Sequence, residues 1–181
     1  RMTIAAAPEA FHGAVAAGLL GCGSVVLGSA EVAGQFYASI LANAAETGMS
    51  IKAAAGEAIG RLRAEKKAVP GFGHPQHSSG DPRANKLLAL AEEHGLVGEH
   101  IQMLYTVRDI LPEAIGRSLP INVNGAIPAV MLDAGFPLAA LKGISLLART
   151  ASLVAHLQEE SHRPIGFIMS GAAADRIDQV S

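Results

Sequence analysis

Hydrophobic positions recur along the chain at the spacing of helices, and no segment alternates convincingly as a strand. Between Ser29, which can cap a helix, and Gly48, which can end it, Val32, Phe36 and Ile40 fall on one face. Further helices are predicted to begin near Ser50, Asp81 and Gly125. Another should run from Glu99 to Leu111, and a strongly amphipathic one from Ile144 to Glu159. The pattern therefore predicts an all-α fold.

Irregular segments separate these helices. The run Pro-Gly-Phe-Gly-His-Pro over residues 70–75 cannot continue a helix, and Ser-Ser-Gly over residues 78–80 extends the loop. Asp81 and Pro82 then supply a cap and a first-turn proline for the next helix. Pro128 is expected to bend or shorten a later helix, and the helical periodicity is lost after residue 164.

The segment from Gly13 to Ala30 carries no charge, and its length is at the lower limit for crossing a bilayer. Its five glycines reduce its hydrophobicity, and no basic flank anchors it, so we expect a buried helix with close backbone packing rather than a membrane span. Gly21 and Gly23 do not form a dinucleotide-binding loop, because the third glycine and the preceding strand are missing.

Composition favours a globular protein that does not bind nucleic acid. The 181 residues are 50% hydrophobic and 17% charged, with a formal net charge of −2 and scattered basic residues. A single cysteine, Cys22, cannot form an internal disulfide, and no cleavable signal is expected after Arg1. These features predict a cytoplasmic location.

Four features could carry chemistry. Gly-Phe-Gly over residues 71–73 precedes His74, and Arg83 follows in the first turn of a helix, where it could fork onto a carboxylate. Arg149 lies within an apolar helix and therefore needs a partner, either a carboxylate of the protein or an anionic ligand. The other two features are the Asn-Val-Asn run over residues 122–124, for which a helix cap is the alternative explanation, and Arg163 before Pro164.

Taken together, these segments resemble the citrate synthase family. That family carries GxGH, DPRA, NVD, RTA, VAH and RP segments in this order. The corresponding segments here are Gly71–His74, Asp81–Ala84, Asn122–Asn124, Arg149–Ala151, Val154–His156 and Arg163–Pro164. The resemblance covers nearly the whole chain and is strongest with the short citryl-CoA lyase-like branch. The family's N-terminal portion is not seen, so we expect a fragment or a truncated member.

The resemblance implies an all-α, citrate-synthase-like multi-helical fold with a large and a small domain that close over the substrates. Residues 30–121 would form the small domain, while residues 1–29 and 122–181 would form parts of the large domain. A homodimer is implied, with no metal and no cofactor, because the CoA thioester is itself a substrate.

Individual roles also follow from the resemblance. His74 matches the histidine that bonds the keto or hydroxyl oxygen of the C4 acid. Arg83 and Arg149 match arginines that hold its carboxylates, and Arg163 matches the arginine that reaches the neighbouring subunit's site. The CoA-binding segment corresponds to Val69, Pro70, Gly71, Phe72 and Gly73, with Lys66 and Lys67 as phosphate contacts or simply an exposed basic helix end.

Two positions depart from the family pattern. Leu27 stands where the family has a histidine that stabilises the thioester enol. Asn124 stands where the family has the aspartate that removes a proton from the acetyl-CoA methyl group, and an amide cannot act as that base near neutral pH. His12 is too far from Leu27 along the chain to replace the missing histidine, and we interpret it as a structural or surface residue.

Three functions remain open from the sequence. The favoured one is a citryl-CoA lyase-like or citrate-synthase-like enzyme acting on an acyl-CoA and a small di- or tricarboxylate. The second is a catalytically impaired relative that binds CoA or a carboxylate, as a sensor or as the partner of an active subunit. The third is a helical assembly module, which the presence of His74, Arg83 and Arg149 disfavours because a scaffold has no use for them.

Overall fold

The computed structural model describes residues 1–73 and 80–178, without the side chains of Val25 and Val26. Within these residues the backbone is helical apart from connections, one 3-10 turn at Leu138–Ala140 and one isolated bridge between Phe72 and Ile121. The predicted all-α class is confirmed. The α-helices are α1 (Met2–Ala6), α2 (Phe11–Leu20), α3 (Ser24–Leu27), α4 (Ser29–Thr47), α5 (Ile51–Ala64), α6 (Pro82–Glu93), α7 (Glu99–Ile115), α8 (Val123–Asp133), α9 (Leu141–His162) and α10 (Gly166–Asp178).

The helices cluster into two compact units, which we call unit 1 (Arg1–Leu27 with Gly143–Ser181) and unit 2 (Gly28–Lys142). Unit 2 groups α8 with the helices of residues 30–121, whereas the sequence-based assignment gave residues 122–181 to the large domain. Compactness within one chain does not define the domains of a whole family fold, so that assignment stays a prediction.

Unit 2 contains a continuous hydrophobic core between α4, α5, α6, α7 and α8. Its largest side chains are almost inaccessible to solvent, which is the burial expected of a domain core. These side chains include Tyr37, Ile40, Ile59, Leu104 and Leu111.

Polar residues at helix starts fix several of these helices, as the sequence predicted. The Ser50 hydroxyl accepts a hydrogen bond from Ala53 N at 3.2 Å, and Asn122 Oδ1 accepts one from Gly125 N at 3.1 Å. Asp81 caps α6, with Pro82 as its first residue. The expected cap by Ser29 is wrong, because Ser29 is already helical and Gly28 occupies the cap position without a side chain to contribute.

The helix α7 runs beyond its predicted end. The sequence placed the end at Leu111, before Pro112, but the helix continues to Ile115 and stops at the left-handed Gly116. At its other end, both oxygens of the buried Asp133 carboxylate accept hydrogen bonds from backbone N–H groups of residues 98, 100 and 101. Packing of α7 in the core thus outweighs the hydrogen bond that its proline removes.

Unit 1 departs from the prediction in two places. Residues 13–30 are not one buried helix, because the chain breaks after α2 at Gly21 and Leu20 is 87% exposed. Close packing does occur at Gly18, where an added Cβ would lie 2.7 Å from Leu153 Cδ2. The tail after Pro164, expected to be irregular, forms α10.

Unit 1 has little core of its own. Its described buried cluster holds only Ile4, Ala14 and Leu157, with Val15 packed beside them. By length and composition alone, residues 138–162 could cross a membrane, with a mean hydropathy of 1.4, and only 6% of the most apolar window is buried. A single helix of this kind is weak support for a membrane span, because core helices of soluble proteins meet the same criterion.

Candidate functional site

The loop that precedes His74 is fixed against the start of α8. Gly73 N donates to Pro120 O at 2.8 Å, and Asn122 N donates to Gly71 O at 3.0 Å. The Asn122 amide adds a third bond, from Nδ2 to Gly73 O at 2.7 Å. Because Asn122 also caps α8, one side chain positions both the loop and the helix. The prediction that Asn122 caps a helix is confirmed, and the same side chain also holds the loop.

Two glycines allow this loop to approach α8. Gly71 has a φ of +86°, and a Cβ at that position would overlap the Tyr37 hydroxyl and lie 2.8 Å from Gly125 Cα. A Cβ on Gly125 would in turn overlap Gly71 O and lie 2.9 Å from Gly71 Cα. The Tyr37 hydroxyl beneath them has no hydrogen-bond partner among the described residues, and burial raises the pKa of this phenol.

A fully buried carboxylate, Asp81, joins the starts of α6 and α8. Its Oδ1 accepts from the backbone N and the Nε of Arg83, both at 3.0 Å. Its Oδ2 accepts from Arg83 Nη2 and from Val123 N, both at 2.9 Å. The bond from the Arg83 side chain, assisted by the two backbone N–H groups, lowers the pKa of Asp81 despite its burial.

Asp81 is a functional candidate that sequence reasoning missed, since it was interpreted only as a helix cap. Its partner Arg83 is 56% exposed, so one side of the guanidinium is held by Asp81 while much of the side chain faces solvent. This arrangement suits an arginine that receives an anionic ligand. The sequence signal was an acid two residues before an arginine at a helix start.

Of the two predicted catalytic residues, His74 and Asn124, the structure describes only Asn124. His74 lies outside the described residues. Asn124 lies in the first turn of α8, is half-buried, and makes no hydrogen bond through its side chain to another described residue. The other departure from the family pattern, Leu27, is a buried apolar residue at the end of α3.

The arginines of unit 1 are accessible. Arg149 on α9 is exposed and has no ion pair with another described residue, so the partner expected from its apolar surroundings is not supplied by the part of the chain that the structure describes. Arg163 follows α9 and is also exposed. His156, on the same helix, lies 3.7 Å from Glu159. Convergence of Arg83 and Arg149 on one anion stays a prediction.

A basic cavity of about 510 Å³ lies beside the loop of residues 69–73. Its lining includes Lys66, Lys67, Val69, Phe72 and Gly73, which the resemblance assigned to CoA, and it does not include Pro70 or Gly71.

Two more basic residues, Arg63 and Arg117, also line the cavity, and sequence reasoning did not single them out. Arg63 donates to the Ala114 carbonyl, whereas Lys67 pairs with Glu65 at 2.7 Å. Four cations therefore surround one cavity, and among the described residues one carboxylate, Glu65, pairs with one of them. This arrangement suits a ligand with several phosphates.

Comparison with known proteins links the chain to one family. The family model for the citrate synthase C-terminal domain matches residues 3–166. None of the curated proteins compared with the chain matches it.

Solved structures show the same fold. Citryl-CoA lyase from Hydrogenobacter thermophilus is 30% identical, with a TM-score of 0.75 over 88% of this chain and 59% of that one. ATP citrate lyase from Methanothrix soehngenii, solved with citrate and coenzyme A, is 22% identical, with a TM-score of 0.68 over 89% of this chain and 27% of that one. Citrate synthase from Thermotoga maritima is 22% identical, with a TM-score of 0.60 over 78% of this chain and 37% of that one. The chain thus spans about three-fifths of the lyase and less of the other two.

Proposed function

The chain belongs to the citrate synthase family, and from that premise we propose that it acts as a citryl-CoA lyase-like enzyme. The reaction would cleave citryl-CoA to acetyl-CoA and oxaloacetate, or run as the reverse condensation. The observation that supports it most is the meeting of three family segments at the start of α8, where residues 71–73 and Asp81 both bond to residues 120–123. The 30% identity to a citryl-CoA lyase favours this branch over others.

Some residues of this site would bind the substrate, and position 124 corresponds to the residue that transfers a proton in the family. In cleavage, the C3 hydroxyl gives its proton to solvent and becomes the keto group of oxaloacetate, while the electron pair of the broken carbon–carbon bond passes to the thioester as an enolate. The enolate carbon then takes up a proton to become the methyl group of acetyl-CoA. Arg83 would hold a carboxylate of the C4 acid, and His74 would bond its keto or hydroxyl oxygen. Asn124 cannot supply or remove the proton at carbon, so we expect slow turnover.

A second function is supported by the same departures. With Asn124 in place of a base and an apolar Leu27 in place of a donor, the site could still bind CoA and a carboxylate without turning them over. The protein would then be a sensor or the partner of an active subunit.

An assay of citryl-CoA cleavage beside calorimetric titrations with CoA and citrate separates the two functions. Release of acetyl-CoA and oxaloacetate above the uncatalysed rate supports the enzyme, whereas binding of both ligands without release supports the impaired relative. A folded protein that binds neither ligand contradicts both.

The basic cavity predicts a charge-dependent affinity for CoA. Replacing Lys66 and Arg117 together with glutamine should weaken CoA binding about tenfold, because each exposed cation contributes roughly 0.2–1 kcal/mol to a phosphate contact. Calorimetry with CoA at two salt concentrations measures the loss, and the variant should show a shallower salt dependence. The matched control is Lys52→Gln with Lys86→Gln, which changes the net charge equally but lies outside the cavity lining. Equal losses in both double variants would count against a phosphate site in this cavity.

We also propose that unit 1 joins two copies into a homodimer. Most of the described large apolar side chains that are exposed belong to this unit, among them Leu147, Phe167 and Ile168 at about 70% exposure each. A cavity of about 450 Å³ with mainly apolar lining lies between α1, α2, α9 and α10. Exposed apolar surface that is concentrated in one part of a chain is typical of a surface that contacts another protein chain.

Light scattering of the purified chain should therefore give the mass of a dimer. Replacing Phe167 and Ile168 with serine should shift the particle toward a monomer, because both side chains lose apolar area that a partner would cover. The control is Val97→Ser in unit 2, an exposed apolar residue outside the proposed interface. A well-folded monomer of the unmodified chain at high concentration would refute the dimer.

A further inference from the structure

We propose that Asp81 is a positioning residue that locks the Arg83 guanidinium to the first turn of α8, and so fixes the carboxylate-binding arginine relative to position 124. The inference rests on the proposed function for its ligand, a small di- or tricarboxylate. Its structural basis is the hydrogen-bond pattern of one buried side chain.

Each oxygen of the Asp81 carboxylate accepts one bond from the Arg83 side chain and one from a backbone N–H group. The two backbone groups belong to the first turns of α6 and α8, where N–H groups lack helical partners. The carboxylate therefore satisfies both helix starts while it holds two nitrogens of the guanidinium in a fork.

The burial of Asp81 makes this arrangement rigid. The carboxylate is inaccessible to solvent, so water cannot replace a lost partner, whereas the Arg83 side chain extends from it into solvent. A fork of this kind removes rotamer freedom from a long side chain before the ligand arrives, which lowers the entropy lost on binding.

The negative charge of Asp81 also opposes binding of an anion. This repulsion has to be weighed against the gain in affinity from positioning Arg83. Arg83 is more than half exposed, so water screens the repulsion between Asp81 and a ligand on the far side of the guanidinium. Positioning should therefore outweigh charge. Removal of the charge in Asp81→Asn should weaken citrate binding by roughly threefold to tenfold, the cost of immobilising one long side chain.

A second buried carboxylate provides a matched control. The Asp133 carboxylate, at the end of α8, is also buried. It accepts three backbone N–H bonds from the start of α7 and a bond from His100 Nδ1 at 2.8 Å, and no arginine among the described residues pairs with it. Both Asp133→Asn and Asp81→Asn should lower thermal stability, but Asp133→Asn should leave citrate affinity unchanged.

The test is a set of citrate titrations of the full chain and of Asp81→Asn, Arg83→Gln, the double variant and Asp133→Asn, with CoA titrated as a reference. If Asp81 acts through Arg83, Asp81→Asn weakens citrate binding and adds nothing to the loss in Arg83→Gln, while CoA affinity is retained. Citrate affinity that is unchanged or stronger in Asp81→Asn overturns the inference, as do losses that multiply in the double variant.

A ligand-free measurement keeps the inference testable if the unmodified chain binds no citrate, an outcome that would count against the proposed function instead. Hydrogen exchange by NMR should show that Arg83 Nε–H and Val123 N–H are both protected in the full chain. Asp81→Asn should speed exchange at both groups, and Asp133→Asn at neither. Fast exchange at both groups in the unmodified chain, or protection that survives Asp81→Asn, would overturn the positioning role.

Discussion

Replacing Asn124 with aspartate is expected to raise solvent deuterium exchange into the methyl group of acetyl-CoA by roughly a hundredfold to ten-thousandfold, the usual contribution of a general base. An asparagine has nearly the shape of an aspartate, so α8 and the ligand contacts should keep their geometry. Asn124 is half-buried in the first turn of α8, where the helix N-terminus also favours a carboxylate. NMR of the acetyl methyl group in D₂O measures the exchange.

The control for this substitution is Gln102→Glu, which makes the same change from amide to carboxylate on the exposed surface of α7. It should leave exchange unaltered. Adding Leu27→His to Asn124→Asp should increase exchange further if the imidazole reaches the enol oxygen, although burying a polar ring at Leu27 will cost stability. If Asn124→Asp leaves exchange at the background rate while CoA still binds, position 124 has no place in the site.

Replacing Gly125 with alanine is expected to destabilise the protein by about 1–3 kcal/mol and to weaken binding of CoA at the same time. The new Cβ would overlap backbone atoms of Gly71. Backbone atoms cannot move aside as the end of a flexible side chain can. The loop of residues 69–73 would have to leave the start of α8. Thermal unfolding should show a lower Tm by roughly 2–4 °C for each kcal/mol lost.

The matched control for Gly125 is Gly60 in α5, where a Cβ meets nothing within 4 Å. Alanine there should stabilise the protein by about 0.5–1 kcal/mol, because it only lowers the entropy of the unfolded chain. A Gly125→Ala protein that is as stable as Gly60→Ala and binds CoA normally would contradict the close approach of the loop and α8.

Local signals in the sequence predicted the helix starts best. Ser50, Asp81 and Asn122 each cap the helix that they were expected to cap, because a cap depends on a side chain and an N–H group only a few residues away. The end of α7 and the whole of α10 were not predicted. The helix that was expected to end at Leu111 continues through Pro112 to Ile115, and residues 166–178 form α10 although the helical periodicity is lost after residue 164. Packing against the rest of the fold is not visible in one stretch of sequence.

The site was predictable in its segments but not in its connections. The motif residues were found because they follow a familiar order, yet nothing near Asp81 in the sequence shows that its carboxylate reaches Val123, 42 positions away. Arg63 and Arg117 were missed for the same reason, since only the folded chain brings them to the cavity beside Phe72. Contacts between distant segments are set by tertiary packing, which a single sequence does not reveal.

Calorimetric titration of the full chain with citrate in the presence of CoA is the decisive test of the proposed carboxylate site. The proposed site predicts saturable citrate binding that Arg83→Gln weakens, because that guanidinium is held ready by Asp81 at the start of α8. A folded protein that gives no saturable citrate binding with CoA present, or that binds citrate equally well after Arg83→Gln, would contradict it.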